Sequence, residues 1–452
     1  MAKFCEGFSE IDRLPEPSLP VKYPRLPGFK PKQEENQLNG WFWKTNIRGA
    51  ENGKLAGRTV AIKDNIAVAS VPMMVGCAAF KGYIPGFDAT VVTRVLDAGG
   101  VILGKSACES LCRGGSSFTG IGGPIRNYHN PLYSAGGSSG GSATLVASGE
   151  VDLAIGGDQG GSIRLPAAWC GVVGLKPTFG LIPYTGAVCI DPSIDHLGPM
   201  ARNVKDCALL LEVLAGSDNG LDHRQPSNLT VPEYTKELEA PDLFGMKVGL
   251  VKEGFETDTA DPRVNDIVKT AVKRLESVGV VVEEVSFPLH KVAAHIWSAI
   301  GFEGAKDTNL HHFGGGAGHS GFYPSSFMTF AARSMKTAID QTSLLSKVIF
   351  LMGEYLSENY PGQFYGKGQN LRRIVKEEYD EVLKKYDVVA MPTVPFTARK
   401  LPLKDITLCD YFHQSFESSA NVLPANVTGM PALTVNAGFI DGLPKAEITR
   451  IE

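Results

Sequence analysis

From residue 55 onward the apolar positions switch repeatedly between two spacings. Thr59 to Ile62 is a short apolar run that predicts a strand, and Thr90 to Ala98 places its apolar residues at helical spacing before stopping at Gly99-Gly100. Val101 to Leu103 and Lys247 to Val251 again predict strands. Asp261-Pro262 opens a helix, which Val264, Ile267, Val268, Ala271, Val272, Leu275 and Val278 continue at the helical period. Val280 to Phe287 predicts a strand, and the charged amphipathic stretch Leu371 to Lys385 a helix that feeds the strand Asp387 to Met391. Strands alternating with helices over the whole body predict an α/β fold, a central mixed β-sheet covered by helices on both faces. Residues 1–45, rich in proline and charge, read as an extended arm; residues 46–452 read as a single domain.

Composition narrows the partners. With 44 basic and 48 acidic residues in 452, nothing favours nucleic acid or an anionic membrane. No run of about 18 apolar residues predicts a membrane span, and the first residues lack the charged-then-apolar order of a secretory signal, so a cytoplasmic location is expected. The eight cysteines have no C-x-x-C pair and read as reduced thiols. His311, His312 and His319 flank a glycine spacer that fixes no coordination geometry, so neither metal nor cofactor is expected. Glycine is the outlier: 51 residues, concentrated between Gly114 and Gly180.

Two motif matches compete for the chemistry. Gly99 to Ser106, GGVILGKS, fits a phosphate-binding loop, but it follows a helix, and Val101, Ile102 and Leu103 are apolar where a phosphate nest needs bare backbone. A helix stop followed by a buried strand is the better reading. Gly137 to Gly141 fits the nucleophile elbow G-x-S-x-G with Ser139 at its centre, but NYHNPLYSAG before it is not the apolar strand an elbow needs. Ser142 reads as the cap of the helix that follows.

A stronger arrangement lies downstream. Val151 to Ile155 predicts a strand, Gly156 to Gly161 a turn with four glycines, and Ser162 stands at its end before a helix. A turn so short of side chains lets backbone N–H groups converge on one oxyanion. Only His129 and His196 precede residue 220, so Ser162 lacks an obvious histidine base. A lysine serves if burial lowers its pKa from about 10.4. Lys63, at the end of the apolar strand TVAI, is placed for such burial.

The run GGSSGGSATLVASGEVDLAIGGDQGGSIRLPAAWCGVVGLKP, with VAIKDNI upstream and YDVVAMPTVPFTA and ANVTGMPALTV downstream, resembles the amidase signature family of serine hydrolases. GDQGGS and the amino-terminal VKYPRLPGFKP resemble most its nitrile-pathway and enantioselective amidases. The resemblance implies a Ser-Ser-Lys triad: Ser162 as nucleophile, Ser138 after a cis peptide as bridging serine, and Lys63 as base. Backbone N–H groups of Gln159, Gly160, Gly161 and Ser162 would hold the oxyanion, with Ser139, Asp158 and Arg164 as supports around them. The implied substrate is a small linear carboxylic amide, split to acid and ammonia or amine through an acyl-enzyme, and a homodimer is among the assemblies allowed. The alternative is the glutamine-hydrolysing subunit of a glutamyl-tRNA(Gln) amidotransferase complex. A third reading is an inactive truncated isoform: the amino terminus reads as short, and KAEITRIE after Pro444 stands where the family continues into a strand. Gly301 to Phe330, a mixture of Gly, His, Phe and Tyr, is a candidate wall or lid of the acyl pocket.

Overall fold

Eleven strands form one sheet in a computed structural model that describes residues 2–239, 241–403 and 405–449. They are β1 (Trp41–Arg48), β2 (Thr59–Lys63), β3 (Val101–Ser106), β4 (Leu153–Asp158), β5 (Val173–Lys176), β6 (His196–Ala201), β7 (Lys247–Val251), β8 (Val281–Val285), β9 (Val388–Pro392), β10 (Ala432–Ile440) and β11 (Leu443–Thr449). Their order is β1-β3-β2-β4-β6-β5-β10-β11-β9-β7-β8. The sheet is mixed. β2 runs parallel to β3 and β4, β7 runs parallel to β8 and β9, and the antiparallel strands β6, β5, β10 and β11 join the two parallel groups.

Helices named here are α1 (Ala2–Arg13), α2 (Thr90–Asp97), α3 (Gly140–Ser148), α4 (Arg164–Cys170), α5 (Val204–Leu214), α6 (Pro262–Lys273), α7 (Ala293–Lys306), α8 (Ser325–Ala338), α9 (Leu344–Asn359) and α10 (Gln363–Leu383). One face of the amino-terminal half carries α2 and α5, whose Val91, Val95, Leu210 and Leu214 pack on Val60, Ile62 and Ile155. The opposite face carries α3 and α4, whose Leu145, Val146 and Ala167 pack on Ala61, Ala154 and Met200. Alternate residues of β2 and β4 therefore enter two different cores, as the two-residue repeat of a strand requires. In the other half, α6 lays Val264, Val268 and Val272 against the sheet, with Asp261 capping its first turn by accepting from the Arg263 N–H at 3.0 Å.

Several expectations change. The amino-terminal segment is not an extended arm throughout: α1 lies within it, and β1 begins at Trp41, before the proposed boundary at residue 45. The strand before Ser162 runs on to Asp158, so Gly156 and Gly157 are strand residues paired with Gly198 and Leu197 of β6, and the turn shrinks to residues 159–163. Ser142 does not cap α3. It lies inside the helix and its hydroxyl meets that of Ser106 at 2.7 Å, while Ser139 holds the N-cap position without a side-chain cap bond. The segment after Pro444 does not leave the sheet short of a strand, because β11 fills the position between β10 and β9. One expectation holds: Gly99 to Ser106 is a helix stop followed by β3, with Lys105 buried 3.2 Å from Asp64.

Candidate active site

The site lies at the carboxyl ends of the parallel strands β2 and β4, the end of such sheets where ligands collect. Lys63 is the last residue of β2 and has no exposed surface. Its Nζ donates to the Ser138 hydroxyl at 2.8 Å and to the Gly157 carbonyl at 3.1 Å. A lysine buried this completely needs hydrogen bonds in place of water. Ser138 is also fully buried, follows a cis Gly137-Ser138 peptide, and accepts at its carbonyl from the Glu109 N–H at 3.3 Å. Position 137 is packed for glycine: a Cβ there would stand 1.8 Å from Glu109 Oε2 and 2.9 Å from the Gly114 carbonyl oxygen.

Ser162 sits in the turn just before α4, nearly buried at 7% exposure, and borders a cavity of about 650 Å³ together with Gln159 and Gly160. Its carbonyl accepts from the Ser139 N–H at 3.2 Å, which ties the second serine loop to the first. The Ser139 hydroxyl is turned away from the cavity, bonding the Gly157 carbonyl and N–H at 3.2 and 3.3 Å. The elbow reading of Gly137 to Gly141 therefore has neither a preceding strand nor a serine on the cavity wall.

Asp158 fixes the turn. Its carboxylate accepts from the Gly161 N–H at 2.8 Å, the Ile163 N–H at 3.2 Å and both arms of Arg164 at 2.9 Å. Burial raises its pKa, but the Arg164 charge and these hydrogen bonds prevail and hold it below the ordinary carboxylate range. Gly161, at φ +103°, adopts a conformation that side chains resist. Its N–H is committed to Asp158, which removes Gly161 from the expected oxyanion donors and leaves Gln159, Gly160 and Ser162. Asn426 completes the brace: its side chain donates to Asp158 Oδ1 at 2.9 Å and accepts from Arg164 at 2.7 Å.

Residues without a recognisable local signal finish the site. Tyr184 accepts from the Gln159 side chain at 2.8 Å, and the Trp297 indole donates to the Gln159 carbonyl at 2.6 Å. Glu109 is wholly buried, and desolvation pushes its carboxyl up to about 8 against hydrogen bonds from Thr119. Of Gly301 to Phe330, only Gly301, Phe302 and Ala305 reach the cavity. Phe327 instead packs on Phe80 and Tyr83. His311 faces Asp307 and Glu354 while His319 stacks on His223 and Tyr323, so these histidines do not converge. Among the described residues no cluster of three or more potential metal ligands occurs, and no helix is long and apolar enough to cross a membrane.

The structure thus gives a buried lysine–serine contact and a second serine on the wall of a cavity. Comparison with known proteins defines the class: the Amidase family profile matches residues 42–446. The enantioselective amidase of Rhodococcus rhodochrous is 46% identical over 418 residues, covering 92% of this chain and 80% of that one. A glutamyl-tRNA(Gln) amidotransferase subunit of Methanosarcina acetivorans is 37% identical, covering 98% and 92%. Among solved structures, a glutamyl-tRNA(Gln) amidotransferase subunit of Thermotoga maritima superposes with a TM-score of 0.74 at 31% identity, over 89% of this chain and 81% of that one. The chain belongs to the amidase signature family, enzymes that hydrolyse carbon–nitrogen bonds.

Proposed function

We propose that this protein hydrolyses a linear carboxylic amide through an acyl-enzyme on Ser162, with Ser138 and Lys63 as its proton relay. The observation that carries the reading is the fully buried 2.8 Å contact between Lys63 Nζ and Ser138 Oγ, behind a serine that borders the cavity. In the cycle, Ser162 Oγ attacks the amide carbonyl while its proton passes to Ser138, whose own proton goes to Lys63. The N–H groups of Gln159, Gly160 and Ser162 stabilise the oxyanion. Collapse breaks the C–N bond, and Ser138 returns a proton to the leaving nitrogen, releasing ammonia or an amine. Water then attacks the acyl-enzyme by the same relay, giving the carboxylic acid and restoring Ser162.

Ser162→Ala is expected to abolish amide hydrolysis, and an activated acyl probe to add one adduct to the intact mass of the parent protein only. Labelling that survives the substitution sinks the assignment. The 37% identity to an amidotransferase component supports a second reading, a glutamine-hydrolysing enzyme that works with partner proteins. Release of ammonia from simple amides by the protein alone favours the first; release only from glutamine, and only with those partners present, favours the second.

A further inference from the structure

A buried guanidinium on the cavity wall has no ion-pair partner among the described residues. Arg113 is 3% exposed and lines the same cavity as Ser162. Its guanidinium lies 4.3 Å over the Phe350 ring and makes one long hydrogen bond, Nη2 to the Ala305 carbonyl at 3.4 Å. Its Nε and Nη1 are buried without a partner. No carboxylate forms an ion pair with it among the described residues: of the acids around the mouth, Glu253 accepts from Ser286 and Phe287, Glu256 lies 3.7 Å from Lys291 and Glu417 bonds Arg399, while Asp258 also borders the cavity and the charge of Asp195 acts on the guanidinium without an ion pair. Desolvation lowers even this guanidinium, to about 10. An arginine left so is costly unless something else brings the missing charge. The surrounding walls, Ile190, Phe302, Ala305 and Ile349, are apolar and strengthen any ion pair formed there.

We propose that Arg113 is a specificity-determining residue that binds a carboxylate on the acyl part of the substrate, so that the preferred substrate is the monoamide of a short dicarboxylic acid. The inference rests on the amidase reading above. The planar fork of a guanidinium matches a carboxylate bidentately, and here Nε or Nη1, both without a partner, can form such a fork with the second N–H of Nη2, whose first meets Ala305. The acyl chain would span the apolar part of the cavity, its amide end at Ser162 and its carboxylate at Arg113.

The test compares glutaramate with pentanamide, which has the same chain length and no carboxylate. The parent protein is expected to prefer glutaramate in kcat/KM, and the ratio of the two to fall about 100-fold in Arg113→Gln, with Arg113→Lys intermediate. Equal rates on the two amides, or a ratio unchanged in Arg113→Gln, overturns the proposal. Calorimetric titration of glutarate into Ser162→Ala, with and without Arg113→Gln, reads the subsite without turnover; binding that is weakened at least about tenfold by the second substitution supports it, and binding indifferent to it overturns it. Arg113→Met serves as the folding control, since removing an unpaired buried charge is expected to leave the Tm level or raised; a lowered Tm in both Arg113→Met and Arg113→Gln makes the residue structural and counts against the proposal. Pentanamide hydrolysis and Ser162 labelling without glutaramate preference would fell the subsite and leave the amidase reading standing. Arg113-dependent glutarate binding with no amide hydrolysed and no label would do the reverse.

Discussion

The floor of the site and the wall of its cavity treat buried charge in opposite ways. On the floor each ionisable group is matched within the fold: Asp158 by Arg164 and Asn426, Lys105 by Asp64 at 3.2 Å, and the Lys63 amine by two oxygens within 3.1 Å. On the wall Arg113 stands among apolar side chains with two nitrogens unbonded. The difference separates two jobs. On the proposed reading the floor holds a proton relay in one geometry and is completed by the protein itself, because a misplacement of about 1 Å can cost about 100-fold in rate. A wall that must receive a molecule leaves its strongest hydrogen-bonding capacity open.

The comparison breaks first at Lys63. If the floor is the relay, Lys63→Ala leaves Ser138 without its acceptor, and kcat on a simple amide is expected to fall at least about 1,000-fold with KM little changed. Steady-state kinetics check this, and a loss confined to KM would move Lys63 from the relay to binding. The second break uses stability. Asp158→Asn strands the buried Arg164 guanidinium beside a neutral amide and is expected to cost about 3 to 5 kcal/mol in denaturant unfolding. The matching removal on the wall, Arg113→Met, is expected to cost little, because no counter-charge is left behind and the one bond lost, to the Ala305 carbonyl, is long. Similar losses in the two variants would show that the wall arginine is as much part of the fold as the floor pair.

The floor was legible in the sequence and most of the wall was not, for a physical reason. Ser138, Asp158, Ser162 and Arg164 lie in two short stretches whose glycine and serine content is itself the signal, since backbone must approach backbone there, and Lys63 ends an apolar strand run that marks it for burial. The wall is assembled from side chains far apart in the chain, such as Arg113, Ile190, Trp297 and Ile349, each of which alone reads as an ordinary helix, strand or loop residue. The misread strand end is instructive. Gly156 and Gly157 have low strand propensity, but a Cβ at 156 would come within 2.8 Å of Ile163, so glycine stands there to let α4 and its approach pack on β4. Helix α10 begins at Gln363 rather than at Leu371 because Gly366 and Gly368 hide an otherwise helical start; Gly368 packs on Ile300 of α7, where a side chain would hold the helices apart. Tertiary packing set both boundaries, and no local pattern carries that information.

Glu109 lies where floor meets wall, four residues before Arg113 and against the Gly137-Ser138 turn, and its titration gives the smallest and most specific test. Its carboxyl is raised by desolvation from 4.5 to about 8, so the folded protein keeps a proton that the unfolded chain releases above about pH 4.5. Stability from this group is therefore complete below pH 4.5 and is lost as pH rises toward 8, where the native state must either hold a proton against solution or bury a charge. Glu109→Gln keeps the shape of the neutral acid and removes that dependence. Between pH 5 and 8 the variant is expected to gain roughly 1 to 3 kcal/mol relative to the parent, level at pH 5 and widest at pH 8. Asp195, pushed up to about 7 by its own burial, titrates in the same direction but is present in both proteins and drops out of the difference. Urea midpoints at pH 5, 6.5 and 8 measure it, and parallel curves for the two proteins would mean that Glu109 is ionised throughout, paired with the floor charges rather than held neutral beside them.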